Sequence, residues 1–333
     1  MGENMADSSG ASRPRIGFIG LGGMGGRMAS RLVAADYPVT VFDRLRDHTE
    51  QLRQRGAEPA ASPAALAASV DIILSSVTDD AALEAVMYGE NGVLDGARAG
   101  TVIVDMSTVR PHTSARLFNV GRKSGIAVLD APVSGSQPQA EQGQLVIFVG
   151  GERSVYDRCA PIFKVLGKAA FYMGPSGAGT SAKLCANTLL GLGLQALGEA
   201  VALGERAGLR RDGLLAALAE TAVISPSQRS KFDNIRRDDY PATFPLRLMY
   251  KDLSLILQEA LDLSVAMPAT AAAAQVAAVE HARETALGVE EDSSVVIRQL
   301  VMWAEPAGPD AYSLIDNSER AEAIESEMTD HLP

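Results

Sequence analysis

The stretch Arg15-Ile-Gly-Phe-Ile-Gly20-Leu-Gly22-Gly-Met-Gly25-Gly-Arg-Met-Ala-Ser-Arg-Leu-Val-Ala34 decides the fold. Ile16–Ile19 reads as a buried strand, and the pattern from Met24 to Ala35 reads as a helix. Between them Gly20, Gly22 and Gly25 stand at GxGxxG spacing. Gly20 permits the tight turn, Gly22 lets the backbone approach a pyrophosphate, and Gly25 allows close helix–strand packing. The helix that follows offers its N-terminal amides and partial positive charge to phosphates. Gly20, Leu21, Gly22, Gly23, Met24 and Gly25 are therefore the expected dinucleotide loop. Asp43 closes the next strand, 23 residues after Gly20. A carboxylate there accepts from the ribose hydroxyls of NAD and repels the 2′-phosphate of NADP. Arg44 and Arg46 follow at once, and an arginine can hold that phosphate, so NAD is preferred while NADP stays open.

Outward from this stretch, short apolar runs alternate with helical ones. Expected strands are Val39–Phe42, Asp71–Ser75, Thr101–Val104 and Ile126–Leu129, with helices at Leu83–Met87 and Pro111–Lys123. Alternation of this kind means βαβ units and a parallel, doubly wound sheet. Two more strands, Gln144–Val149 and Ala169–Tyr172, flank a helix near Ser154–Val165 and extend the sheet. After Gly174 the pattern turns helical, opening on a long Ala/Leu/Gly helix to Gly208 and continuing to Trp303. The fold class is α/β: a Rossmann-like domain over 14–174, then an all-α domain over 175–303 entered through the long helix. Asp212 and Ser293 are expected N-caps, and Gly208 and Gly288 expected helix stops. Residues 1–13 and 304–333 are expected to be disordered.

Composition removes several function classes. The chain of 333 residues exceeds one compact core, and its 47% hydrophobic content suits a globular protein. Of the net charge of −11, the span 304–333 holds −7 (eight acids against Arg320), leaving −4 for the rest. A mildly acidic body argues against nucleic acid. Two cysteines and four scattered histidines match no metal-ligand spacing and no histidine triad, so no metal is expected. The N-terminus lacks a signal-peptide pattern and no long uncharged apolar run appears, giving a cytoplasmic expectation with no membrane partner. An Ala/Gly-rich helical half suggests close subunit contacts, hence a homodimer or homotetramer.

Chemistry concentrates at Lys183 and Asn187. Four residues apart, they share one helix face, set among Ala182, Leu184 and Ala186. A lysine in such company either snorkels to water or is kept for its proton, and desolvation would lower its pKa toward the working range. Asn187 can orient a hydroxyl or carboxylate beside it. The Ser134-Gly135 turn offers backbone amides suited to a carboxylate.

Four ordered motifs now stand together: the loop Gly17–Gly25, Asp130-Ala-Pro-Val-Ser-Gly135, Lys183 with Asn187, and Lys251-Asp-Leu253. This set, spanning about residues 14 to 303, resembles the β-hydroxyacid dehydrogenase family. The resemblance implies an NAD(P)-dependent oxidoreductase acting on a small 3-hydroxy acid or its semialdehyde. It implies Lys183 as general acid/base, with Ser134, Gly135 and Asn187 holding a carboxylic-acid substrate. It places Thr108, Val77 and Thr78 beside the nicotinamide, and Lys251 as a lysine that closes on cofactor and substrate. Ser136 departs from the pattern, where a second glycine is usual; its side chain could narrow the pocket or add a hydroxyl. An imine reductase of the same architecture is the alternative enzyme, although such enzymes commonly lack a lysine at the position of Lys183. A cofactor-binding module without turnover is the alternative outside enzymes.

Overall fold

The computed structural model describes residues 13–304. Of the two terminal segments expected to be disordered, all but Arg13 and Ala304 lie outside the described residues.

Nine strands among the described residues form one sheet. They are β1 (Ile16–Ile19), β2 (Val39–Phe42), β3 (Glu58–Pro59), β4 (Ile72–Ser75), β5 (Val102–Asp105), β6 (Ala127–Asp130), β7 (Val133–Ser134), β8 (Leu145–Gly151) and β9 (Gly167–Gly174). Their order is β3-β2-β1-β4-β5-β6-β8-β7, with β9 paired to β8. β1 to β6 run parallel, in the order of a doubly wound nucleotide-binding sheet.

The central strands β1, β4, β5 and β6 are mostly apolar and buried because both faces are covered. Phe18, Leu74, Val104 and Leu129 pack with Met28 and Leu32 in one core. Ile19, Ile73, Ile103 and Val128 pack with Leu66, Leu83 and Leu117 in the other. Beyond β6 the sheet reverses: β8 lies antiparallel to β6 and β7, and β9 parallel to β8. β3 and β7 have two residues each, too few to show a strand period.

The described chain divides into two compact units. The first runs through Thr188 and takes in Ser254–Ala266; the second holds Leu189–Leu253 and resumes at Met267. The helix Ala178–Arg206 carries the chain from the first to the second. Its length and apolar content would also suit a membrane span. Its first turn is instead packed on the sheet, where a Cβ added to Gly179 would lie 2.4 Å from the Phe148 carbonyl oxygen.

The second unit is helical apart from two isolated bridges, Pro241 with Glu291 and Pro245 with Asp292. Glycines in the long helix mark close helix packing there: a Cβ on Gly198 would lie 2.6 Å from Leu300. Gly208 and Gly288 end their helices at φ +81 and +65. The expected N-caps are corrected by one or two residues. Asp212 lies in the first turn of Arg211–Ala219, whose N-cap is Arg210. Asp292, not Ser293, caps the 3-10 helix Ser293–Val295, its carboxylate accepting from the Ser294 amide. Asp292 also takes Lys231 Nζ at 2.8 Å and Thr243 Oγ1 at 2.7 Å, which ties a loop to the cap.

Candidate active site

The carboxyl ends of the parallel strands carry the loops of interest. Gly20 follows β1, Asp43 follows β2, Val77 and Thr78 follow β4, Thr108 follows β5, and Ser134 and Gly135 come soon after β6. β1 and β4 are neighbours from which the chain winds in opposite directions. That switch point leaves a crevice suited to a dinucleotide.

The glycine-rich loop has the required shape. Gly20 sits at φ +85, and a Cβ there would lie 2.3 Å from the Ser76 carbonyl oxygen and 3.2 Å from Val77. A Cβ on Gly25 would lie 1.9 Å from the Gly20 carbonyl oxygen. Gly22, by contrast, has nothing within 4 Å of that position. Two glycines thus close the turn, and the third leaves open backbone. The helix Gly25–Ala34 begins there and presents its N-terminal dipole to the loop. These features fit the pyrophosphate of a dinucleotide, with Gly20, Gly22 and Gly25 in the parts read from sequence.

Asp43 already works within the loop. Its Oδ2 accepts from the Leu21 amide at 2.6 Å and its Oδ1 from the Leu45 amide at 2.8 Å. A carboxylate has about four lone-pair directions, so two remain for ribose hydroxyls. His48 Nδ1 lies 3.4 Å from Oδ1. On the other side, Gln137 packs over the loop, its Nε2 2.9 Å from where a Cβ on Gly23 would stand.

The loops after β4 and β5 are joined through Asp105. Its Oδ1 accepts from Ser75 Oγ at 2.8 Å and Ser107 Oγ at 2.7 Å, and Ser107 Oγ accepts from the Val77 amide at 2.9 Å. Oδ2 has no hydrogen-bond partner among the described residues. Burial is the main cause that pushes the Asp105 carboxyl up to about 6, against the pull of the two serines, with Asp130 adding repulsion.

A carboxyl raised from 3.8 to about 6 on folding stabilises the fold below its unfolded value and loses that contribution as pH rises through about 6. Asp105→Asn cannot ionise. Its stability relative to the parent protein should therefore grow by up to roughly 3 kcal/mol between about pH 4 and pH 7. Urea unfolding across that window checks this, and a difference that stays flat with pH would refute it.

Lys183 and Asn187 lie in the first unit on the helix Ala178–Arg206, with 9% and 2% of their surfaces exposed. Thr180, 1% exposed, precedes them at helical spacing, so Thr180, Lys183 and Asn187 form one buried polar stripe. The first turn of this helix is held by Asp130 at the end of β6. Asp130 Oδ1 accepts from the Gly177 amide at 2.8 Å and Oδ2 from the Thr180 amide at 2.9 Å. Burial raises the Asp130 carboxyl, with the Gly177 and Thr180 amides opposing.

Gly135 takes φ +139, which a side chain rarely adopts. Ser136 precedes the helix Gln137–Gln142, its amide donating to Gln139 Oε1 at 3.0 Å and its hydroxyl contacting the same oxygen. The Ser136 side chain is thus engaged in a cap. Lys251 belongs to the second unit, where its Nζ lies 2.9 Å from Asp252 Oδ1.

The first unit therefore holds every site residue read from sequence except Lys251. Sequence reasoning did not assign Asp105 or Asp130 to the site; Gln137 was expected near the substrate pocket, and it packs over the glycine-rich loop at Gly23. Asp130 stands in a quoted motif, and its position at a strand end before Ala-Pro was the available signal.

Loop and sheet together define a dinucleotide-binding fold with a helical second half. The model for the NAD-binding domain of 6-phosphogluconate dehydrogenase matches residues 15–174. The model for the NAD-binding of NADP-dependent 3-hydroxyisobutyrate dehydrogenase matches 177–300. The 2-(hydroxymethyl)glutarate dehydrogenase of Eubacterium barkeri is 36% identical over 295 residues, covering 88% of this chain and 96% of that enzyme. Glyoxylate/succinic semialdehyde reductase 1 of Arabidopsis thaliana is 34% identical over 281 residues, covering 84% and 96%. The Mycobacterium tuberculosis 3-hydroxyisobutyrate dehydrogenase solved with L-serine superposes with a TM-score of 0.78 at 27% identity, covering 86% of this chain and 99% of that one. The chain belongs to the β-hydroxyacid dehydrogenase family and to its NAD(P)-binding oxidoreductases.

Proposed function

We propose that this protein interconverts a small 3-hydroxy acid and its semialdehyde, with Lys183 as the general acid/base. The carrying observation is the buried stripe of Lys183 and Asn187 on a helix pinned to the sheet end. A buried ammonium beside a carboxamide suits a carbonyl or alkoxide oxygen: the lysine moves the proton, and the amide orients the group. When bound, the nicotinamide supplies or accepts the hydride. In reduction Lys183 Nζ gives its proton to the carbonyl oxygen; in oxidation it takes the hydroxyl proton.

The Ser134-Gly135 backbone, with Ser136 beside it, is placed to receive the substrate carboxylate. Val77, Thr78 and Thr108 border the nicotinamide end of the crevice. Residues 14–174 serve the cofactor and 175–303 the substrate and subunit contacts, in a cytoplasmic homodimer or homotetramer. The names of the two curated relatives point to a substrate with a carboxylate near the reacting carbonyl. A panel of succinic, methylmalonic and tartronic semialdehydes with glyoxylate, read by NADH absorbance, tests the reading. Failure to oxidise NADH with any of them would count against it.

For the cofactor, NAD is favoured because Asp43 is fixed at the end of β2 by the Leu21 and Leu45 amides. A held carboxylate cannot swing away from a 2′-phosphate. KM for NADPH is expected to exceed that for NADH by about tenfold or more, the equivalent of roughly 1.4 kcal/mol. A lower KM for NADPH would assign the phosphate to Arg44 instead.

A further inference from the structure

We propose that Asp130 is a positioning residue for the reaction: its carboxylate clamps the first turn of the helix Ala178–Arg206 to the end of β6 and so sets where Lys183 and Asn187 stand. The proposal rests on the reading of Lys183 as the proton-transfer group.

The clamp is built from several elements of the first unit. Asp130 is 2% exposed and spends one oxygen on the Gly177 amide and the other on the Thr180 amide, with Thr180 Oγ1 at 3.3 Å from the second. Thr180 Oγ1 also meets Ser114 Oγ at 3.0 Å, which brings in the helix Pro111–Lys123. The backbone closes around the carboxylate. A Cβ on Gly150 would lie 2.6 Å from Asp130 Oδ1, and one on Gly179 would lie 2.6 Å from the Asp130 carbonyl oxygen. A negative charge at the N-terminus of a long helix is also favoured by the helix dipole.

Thr180 makes the connection to chemistry. It lies on the same stripe as Lys183 and Asn187, one helical turn before the lysine. A turn of helix is stiff, so a shift at Thr180 is carried to the lysine attachment point. Misplacement of about 1 Å can cost about a hundredfold in rate. Aspartate suits the task because both oxygens accept. Asparagine would turn an NH2 toward one of two N–H donors, and glutamate would add a methylene in a packed corner.

The test compares Asp130→Asn with the parent protein and with Lys183→Ala, well below the Tm of each, using the best substrate from the panel. For Asp130→Asn, kcat should fall about 10- to 100-fold, with KM and the NADH dissociation constant within about threefold. The pH profile of kcat should move, because the surroundings of Lys183 change. Hydrogen exchange should quicken about tenfold or more in peptides covering 177–188 and stay unchanged over 16–25.

A cap that only stabilises the fold would lower Tm and leave kcat and its pH profile unaltered; that result would overturn the proposal. Unchanged exchange over 177–188 would overturn it as well. Lys183→Ala with full turnover would instead defeat the reading of the lysine, and the exchange data would then decide the clamp alone. Should Asp130→Asn fail to fold, Thr180→Val removes only the hydroxyl arm. It should lower kcat about 3- to 10-fold with the same sparing of KM, and wild-type kcat there would refute the clamp.

Discussion

Lys183→Ala is expected to lower kcat by at least about two orders of magnitude while the NADH dissociation constant stays within about twofold. The split follows from where the residue sits. Lys183 lies on the helix Ala178–Arg206, apart in sequence from the loop Gly20–Gly25. On the proposed reading, removing its ammonium takes away the proton for the reacting oxygen and leaves the loop Gly20–Gly25 untouched. Lys183→Arg is a useful companion: it keeps the charge but holds its proton too tightly to exchange it, and should restore little. Stopped-flow NADH binding beside steady-state turnover reads both quantities. Near parental kcat in Lys183→Ala would remove the lysine from the chemistry.

The second large effect separates two glycines of the same loop. At Gly25 a Cβ meets the Gly20 carbonyl oxygen at 1.9 Å, a backbone atom that cannot yield without unmaking the turn. Gly25→Ala should therefore lower stability by about 1–3 kcal/mol or more and raise the NADH dissociation constant about a hundredfold. At Gly22 the same Cβ meets nothing within 4 Å. Gly22→Ala should leave the Tm of the cofactor-free protein unchanged and still weaken NADH binding about tenfold or more, because on the proposed reading the methyl would stand where the pyrophosphate approaches. Tm and NADH titration on both variants give the comparison. Equal NADH affinity in Gly22→Ala and the parent would place the cofactor elsewhere.

Much of the nucleotide-binding half is readable from local pattern. Ile16–Ile19 and Val39–Phe42 are short apolar runs bounded by turn residues, and the sheet holds both over the same residues. The runs at Thr101–Val104 and Ile126–Leu129 slip by one residue for an informative reason. Pattern reading stops a buried strand before a charge, yet the strands close on Asp105 and Asp130. Distant groups hold each acid: Ser75 donates to one oxygen of Asp105, and the Gly177 and Thr180 amides to the two oxygens of Asp130. Partners that far along the chain leave no periodic trace.

The reversal at β8 is invisible for the same cause, since strand direction depends on pairing rather than composition. At the site, loop glycines and the Lys183–Asn187 spacing are local signals and could be read. The engagement of Ser136 with Gln139 is local too, a Ser-x-x-Gln capping box legible in the sequence. The clamp by Asp130 required the fold.

The most direct test of the central claim is the pH dependence of kcat for carbonyl reduction, measured on the parent protein and on Lys183→Ala with the best substrate of the panel. If Lys183 Nζ gives the proton, the parent protein loses activity as pH rises through the lysine's titration, and that limb is absent from the residual activity of the variant. The same limb in both proteins would contradict the account.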